Sequence, residues 1–262
     1  MVWEFALIGL AAGFGAGYLG IGGGFIVVPA LLWLFGKDPA MATVAAQLAV
    51  GTSLATMLAT SLSSIIAHHR RGAVRWTVVR RLTPGLLVGA LLGAWIADGV
   101  STRSLSLVIA TCAALAGLQL LVFRARERER PLPGSVGSTG VGGLIGGVSS
   151  LVGIGGGSIT APWLMAHGVR AQAAVATAAA CGYPIALAGT LGFVGLGWDT
   201  PVPDVSTLGH VHLAAFAGIA VFSVLAAPLG AWAVHKSPPH QVRRAFGVFL
   251  LLVAARIATQ AI

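Results

Sequence analysis

The sequence predicts an all-α integral membrane protein with two inverted-topology repeats of about five helical segments each. Its 262 residues are 56% hydrophobic and 9% charged, whereas an average soluble domain is about 25% charged. Apolar runs long enough to span a bilayer follow one another along the chain. A glycine cluster at 20–24 returns at 153–157, each time between two apolar runs. Together these observations predict short helices that are broken by glycine or re-enter the membrane.

The order of the elements follows from the apolar runs, because a membrane-spanning helix needs about 20 apolar residues. The predicted helical segments are 4–19, 23–35, 40–66, 77–99, 104–123, 137–152, 157–167, 171–194, 210–235 and 240–259. The first two segments are short, and so are the sixth and seventh. Each short pair is predicted to be either a re-entrant hairpin that meets at its glycine cluster or two thin spans.

The charged stretch 124–136 is predicted to be a cytoplasmic linker between a first membrane repeat, 1–123, and a second, 137–262. The halves resemble each other beyond the glycines, since Leu-Gly-Ala-Trp at 92–95 returns at 229–232. Each half has an odd number of crossings, so the second half is expected to run in the opposite direction. Inverted repeats place a transporter's binding site near the midplane, between the halves.

The net charge of +9 indicates orientation in the membrane and not nucleic-acid binding, because the basic residues lie in short loops between apolar segments. With the N-terminus outside, the basic residues of the inner loops and flanking helix ends are Arg70, Arg71, Arg75, Arg80, Arg81, Arg124, Arg126, Arg128, Arg130, Arg170, Lys236, Arg243 and Arg244. The outer side keeps only Lys37, Arg103 and Arg256. The positive-inside rule therefore predicts that both termini are periplasmic or extracellular.

Each glycine cluster is predicted to end one helix and begin another inside the membrane. Consecutive glycines weaken a helix by about 1 kcal/mol each relative to alanine, so their recurrence at matched positions indicates that the break is used. The helices that start after Gly24 and Gly157 would direct unpaired N–H groups and positive dipole ends to the centre. The spans contain no Asp, Glu, Lys or Arg away from their ends. Because a cation site usually has an intramembrane carboxylate, we predict a site for a small anion.

The predicted binding residues combine both glycine clusters with nearby polar and aromatic side chains. They are Gly22, Gly23, Gly24, Phe25, Gly155, Gly156, Gly157, Ser158, Thr160, Gln47, Thr52 and Tyr183. A buried amide such as that of Gln47 needs a partner, whereas a hydroxyl in a membrane helix can bond either its own i−4 carbonyl or a ligand.

No catalytic residue, cofactor or metal ligand is predicted. The seven histidines lie near segment ends, where an interfacial position is expected, and they lack the convergent spacing of a metal site. Glycines spaced four apart, as at Gly9 and Gly13, Gly89 and Gly93, or Gly143 and Gly147, predict that helices pack closely.

The repeated pattern Gly-x-Gly-Gly-Gly with Pro five residues after the last Gly, at 20–29 and 153–162, resembles the TauE/SafE family of sulfite exporters, also called the TSUP family. The Leu-Gly-Ala-Trp echo and Arg-Gly-Ala-Val-Arg-Trp at 71–76 extend the resemblance over roughly 5–255. It implies a carrier of sulfite, thiosulfate or sulfonates in the bacterial inner membrane. With the anion site predicted above, we expect alternating access and export driven by the membrane potential. A homodimer is one candidate assembly.

Three alternatives stay open at this point. A cation or metal permease would coordinate its ion with carbonyls at the breaks. A membrane enzyme or cofactor-binding subunit would need a His, Cys or carboxylate constellation. A membrane assembly factor without a pore would bind no small oxyanion.

Overall fold

The described part of the chain is almost entirely helical. The computed structural model describes residues 2–19, 23–122, 132–200, 202–203, 205–233 and 239–261. The first half contains α1 (Val2–Leu19), α2 (Gly24–Phe35), a 3-10 turn (Ala42–Val44), α3 (Ala45–Arg70), α4 (Trp76–Asp98) and α5 (Thr102–Val122). The second half contains α6 (Ser135–Val152), α7 (Gly157–Ala166), α8 (Ala171–Leu196), β1 (Thr207–Leu208), β2 (Val211–His212), α9 (Leu213–Ala233) and α10 (Pro239–Ala261).

The predicted all-α membrane fold is confirmed. Within the described residues, six helices are long and apolar enough to cross a membrane. The helices that follow the two glycine clusters are shorter, with 12 residues in α2 and 10 in α7. Of the predicted linker 124–136, residues 124–131 lie outside the described part of the chain.

Two predicted boundaries are wrong. The segment predicted at 40–66 is an α-helix from Ala45 to Arg70, and the segment predicted at 210–235 becomes helical only at Leu213. The preceding residues form an antiparallel hairpin in which Thr207 pairs with His212 and Leu208 pairs with Val211. Gly209 turns the chain with a φ of 54°, a left-handed conformation that glycine adopts at little cost. The apolar run could not reveal the hairpin, since its position depends on contacts with α3 and α8.

Glycines bring two pairs of helices into backbone contact, as their four-residue spacing predicts. Along α4 and α6, a methyl group on Gly89 or Gly93 would overlap the carbonyl of Gly143 or Gly147. Residue numbers rise together along this contact, so α4 and α6 run parallel. Helices α1 and α9 pair in the same way, and the Ser223 hydroxyl donates to the carbonyl of Gly9 over 3.0 Å.

The two ends of the helical bundle differ in charge. One end, called here the arginine-rich end, joins the end of α3 to the starts of α4, α6 and α8 and carries Arg70, Arg71, Arg75, Arg80, Arg81 and Arg170. Contacts fix this grouping, because the Thr139 hydroxyl donates to the carbonyl of Arg81 and the N–H of Arg75 donates to the Thr177 hydroxyl. The opposite end, called the acidic end, contains Asp98, Asp199 and the β-hairpin. Helices α3 and α8 occupy the centre, between these ends.

Candidate functional site

Both glycine clusters interrupt helices. Gly23 precedes α2 with a φ of 70°, and Gly156 precedes α7 with a φ of 65°. Both residues are in the left-handed region, where a side chain would be strained. Gly22, together with Gly20 and Ile21, lies outside the described residues.

The two breaks lie against each other. A methyl group on Gly24 would overlap the carbonyl of Gly153, and one on Gly153 would lie 3.1 Å from the Cα of Val50. The Ser53 hydroxyl of α3 donates to the same Gly153 carbonyl over 2.9 Å. The first predicted cluster and the second therefore meet beside the centre of α3.

The first turn of α7 carries hydrogen-bond donors without acceptors. The N–H groups of Ile159 and Thr160 both donate to the carbonyl of Gly156. Among the described residues, the N–H groups of Gly157 and Ser158 have no acceptor, as is usual for a helix N-terminus. The dipole of α7 adds positive potential at this point.

Buried hydroxyls surround the same turn and also lack partners in the described part of the chain. The hydroxyl oxygens of Ser158 and Thr160 are buried, and neither makes a hydrogen bond. Ser149 of α6 is also fully buried and unpartnered, and its hydroxyl lies 3.2 Å from where a Cβ on Gly156 would be. An unpaired buried hydroxyl costs about 1–3 kcal/mol. Several of them beside one helix N-terminus form a polar surface that a small anion would satisfy.

A small cavity adjoins the second break between α3 and α8. It is about 20 Å³ in volume, and it is lined by Ala16, Met57, Thr60, Ser61, Ser64, Gly155, Ala179 and Gly182. That volume is enough for about one water molecule. The lining residues of α3 lie between its centre and Arg70, so the cavity is on the side of the breaks that faces the arginine-rich end. The hydroxyls of Thr60 and Ser61 donate to carbonyls of their own helix.

Two predicted binding residues make other contacts, toward the acidic end. The amide nitrogen of Gln47 lies 2.8 Å from the carbonyl of Val100 and 3.3 Å from that of Ala97, and its oxygen accepts from the Thr102 hydroxyl. The amide therefore ties α3 to the connection between α4 and α5. The Thr52 hydroxyl accepts from the N–H of His212 over 2.9 Å.

The remaining predicted residues differ in their surroundings. Phe25 is buried in the hydrophobic core, and Tyr183 is half-buried near the middle of α8. The structure thus gathers Gly24, Gly155, Gly156, Gly157, Ser158 and Thr160 around the breaks. Sequence reasoning missed Ser149. An available signal was the pair Ser149-Ser150, which stands in an apolar run immediately before the second glycine cluster.

The β-hairpin closes the acidic end above the breaks. His210 is only 3% exposed, its Nε2 lies 2.9 Å from Oδ1 of Asp98, and its N–H donates to the carbonyl of Phe193. A methyl group on Gly51, in the second turn of α3, would overlap the carbonyl of His210. The hairpin therefore contacts α3 next to Val50, the residue against which Gly153 of the second break lies.

The second hairpin histidine is also buried within the protein at the acidic end. His212 is 5% exposed and stacks on Phe35 with a centroid distance of 5.1 Å. Burial lowers the pKa of His212 below its ordinary value of 6.5. In the described part of the chain, no three His, Cys, Asp or Glu side chains converge in a way that could hold a metal ion.

Comparisons with known proteins agree with this architecture. The model of the family described as sulfite exporter TauE/SafE matches residues 5–257. A probable membrane transporter protein of Haemophilus influenzae is 33% identical over 255 residues, which cover 95% of this chain and 94% of that protein. The probable membrane transporter protein YtnM of Bacillus subtilis is 30% identical over 261 residues, covering 96% and 81% of the two chains. The chain therefore belongs to the TauE/SafE sulfite exporter family.

Proposed function

We propose that the protein exports sulfite or a related sulfur-containing anion across the bacterial inner membrane by alternating access. The observation that carries the proposal is the set of unpartnered donors at the second break. The N–H groups of Gly157 and Ser158 and the hydroxyls of Ser149, Ser158 and Thr160 lie around one helix N-terminus. Because each donor can replace a water of hydration, an oxyanion gains there what it loses on leaving water.

The absence of full charges near this turn suits a carrier. Every described carboxylate, Glu4, Asp38, Asp98 and Asp199, lies at the acidic end. The α7 N-terminus contributes the equivalent of about half a positive charge, which attracts an anion without holding it as an arginine pair would. Transport requires binding that is favourable enough for entry and weak enough for release.

The helix directions support the inverted repeat on which alternating access depends. Within the described residues each half has five α-helices, and their lengths are 18, 12, 26, 23 and 21 residues in the first half and 18, 10, 26, 21 and 23 in the second. Helix α1 runs parallel to α9 and starts at the acidic end, whereas its counterpart α6 runs parallel to α4 and starts at the arginine-rich end. The counterpart of α1 is α6, and the counterpart of α9 is α4. Exchange of the two halves therefore converts the pair α1 and α9 into the pair α6 and α4, as a twofold pseudo-symmetry requires.

We further propose that this conformation is closed toward the periplasm. The hairpin blocks the acidic end, while the small cavity lies on the side of the arginine-rich end. Sulfite is several times larger than the water that the cavity could hold, so its entry requires α3 and α8 to separate. The membrane potential of a negative-inside cell favours the export of an anion by about 2.3 kcal/mol per charge per 100 mV.

The proposal is tested by measuring thermal stability of the detergent-purified protein with sulfite, sulfate, thiosulfate, sulfoacetate and taurine. We expect at least one sulfur anion to raise the Tm, and we expect Ser149→Ala and Ser158→Ala to reduce that shift. The matched control is Ser106→Ala, since Ser106 is also buried but lies in α5 and donates its hydroxyl to the carbonyl of Thr102 in its own helix.

Flux through proteoliposomes provides the second measurement. The variants that reduce the Tm shift should also slow uptake of the anion that produced it. A Tm shift and a flux that survive both substitutions undiminished would show that the site lies elsewhere. Absence of any shift or flux with all five compounds would contradict the proposed function itself.

A further inference from the structure

A basic cleft lies at the arginine-rich end, away from the breaks. A cleft of about 320 Å³ opens between the starts of α4 and α6, and it is called here the α4–α6 cleft. It is lined by Thr77, Arg80, Arg81, Pro84, Ser135 and Thr139. We infer that the α4–α6 cleft binds the phosphate-bearing head group of an acidic phospholipid. This inference goes beyond transport and does not depend on which anion is carried.

The positive charge of the cleft is unopposed within the described residues. Arg80 and Arg81 are both exposed and both line the cleft. The described carboxylates lie at the acidic end, on the other side of the bundle. Two guanidinium groups that line one cleft are suited to a phosphate, whose oxygens accept several N–H bonds.

Two helix N-termini add to this charge. Helix α4 starts at Trp76 and α6 starts at Ser135, and the two helices run parallel, so both positive dipole ends lie at the cleft. The cleft is held in shape by the Thr139 hydroxyl, which donates to the carbonyl of Arg81 over 3.2 Å. Backbone contact between Gly85 and the carbonyl of Thr139 lies directly beneath. The basic groups thus stand on a closely packed base.

The surface below the cleft favours a lipid over free phosphate. Arg81, Pro84, Val88 and Leu91 follow one another at helical spacing along one face of α4. Val88 is 60% exposed and Leu91 is 47% exposed, so this face is apolar and open toward the membrane. A phospholipid would satisfy both parts, with its phosphate among the arginines and an acyl chain along the apolar face. Basic pockets between helices at the cytoplasmic surface are suited to anionic head groups.

The test uses the full-length protein in a neutral detergent, with bound lipid counted by native mass spectrometry. The probes are phosphatidylglycerol, phosphatidylethanolamine and inorganic phosphate. We expect phosphatidylglycerol to be retained and to raise the Tm, while phosphatidylethanolamine and phosphate do neither. The double variant Arg80→Gln with Arg81→Gln should bind phosphatidylglycerol about 10- to 30-fold more weakly.

Arg170→Gln is the matched control, because Arg170 is an exposed arginine at the same end but outside the cleft. Equal retention of phosphatidylglycerol by the double variant and this control would overturn the inference, and so would equal binding of phosphatidylethanolamine. Binding of inorganic phosphate as tight as that of the lipid would assign the cleft to a free anion and overturn the lipid assignment. If the double variant does not fold, retention of phosphatidylglycerol by the wild-type protein is measured at increasing salt concentration. Retention should fall as salt screens the arginines, and retention that is independent of salt would contradict the inference.

Discussion

Thr160 is fully buried, and its hydroxyl has no partner among the described residues. This combination is costly unless a ligand uses the hydroxyl. Valine has nearly the same shape but no polar atom. We therefore expect Thr160→Val to leave the free energy of unfolding of the ligand-free protein unchanged or to raise it by about 1 kcal/mol. The same change should reduce the Tm shift produced by the transported anion.

Ser53→Ala is the contrasting variant for this measurement. Its hydroxyl already donates to the Gly153 carbonyl, so its removal should lower the free energy of unfolding by about 1 kcal/mol. If Thr160→Val destabilises the ligand-free protein as much as Ser53→Ala does, the Thr160 hydroxyl has a structural partner and is not reserved for a substrate.

Gln47 is expected to act in stability and not in anion binding. Its amide makes three hydrogen bonds to the connection between α4 and α5. Gln47→Leu leaves the carbonyl of Val100 and the hydroxyl of Thr102 without this partner, so the free energy of unfolding should fall by about 2 kcal/mol. The anion-induced Tm shift should stay the same size. If Gln47→Leu abolishes the anion-induced Tm shift and leaves the free energy of unfolding unchanged, Gln47 contributes to the binding site and this prediction is wrong.

At the residue scale, the positions of the helix breaks could be predicted from the sequence, whereas the hydrogen-bond partners of the polar side chains around them could not. Two glycine triplets with matched prolines indicate interrupted helices, because nothing else in a membrane helix explains three adjacent glycines twice. Whether a given hydroxyl is satisfied depends instead on which carbonyl a neighbouring helix presents. Gln47 and Thr160 are both polar residues in apolar runs, and only their tertiary contacts separate a structural amide from an unpartnered hydroxyl.

The β-hairpin is the element whose behaviour with pH can be predicted. His212 is neutral in the folded protein because burial lowers its pKa, whereas in the unfolded chain its pKa is the ordinary 6.5. Between these two values the unfolded state binds more protons than the folded state, so acidification favours unfolding. The stabilising contribution of neutral His212 is complete above pH 6.5 and declines as the pH falls below that value.

We therefore expect the Tm to be lower at pH 5.5 than at pH 7.5, and we expect His212→Gln to reduce this difference. The paired His210 and Asp98 remain in the variant, so their own pH dependence is common to both proteins and cancels in the comparison. A wild-type Tm difference that is unchanged in His212→Gln would mean that other groups control the acid sensitivity.

At the element scale, periodicity and length sufficed for the helices but not for the hairpin. The helices could be predicted because a bilayer requires long apolar runs, and the runs end at loops with charge, glycine or proline. Residues 207–212 carry no such constraint. Their strand pairing is stabilised by His210 against α8 and by the bond from the N–H of His212 to Thr52, and contacts so distant in sequence leave no local pattern.

At the scale of the whole molecule, the bundle has one basic and one acidic end, and this difference in charge determines its orientation in a membrane. The positive-inside rule depends on loops close to the membrane, and the loop between α3 and α4 and the loop before α8 are both short and basic. The parallel pairs α1 with α9 and α4 with α6 have defined directions relative to these loops. The orientation of the carrier can therefore be tested at two residues.

Arg170→Cys and Asp199→Cys place a thiol in an exposed position at the arginine-rich end and at the acidic end, respectively. The native Cys181 is buried and Cys112 is partly buried within α5, so wild-type protein gives the background for a membrane-impermeant maleimide. In cells whose outer membrane is permeable and whose inner membrane is intact, we expect the maleimide to label Asp199→Cys alone. Arg170→Cys should be labelled only after the membrane is opened. Labelling of Arg170→Cys alone in intact cells would contradict this orientation. The cavity beside Gly155 would then face the periplasm and the hairpin would close the cytoplasmic side, so the conformation would be one that takes up its substrate from outside.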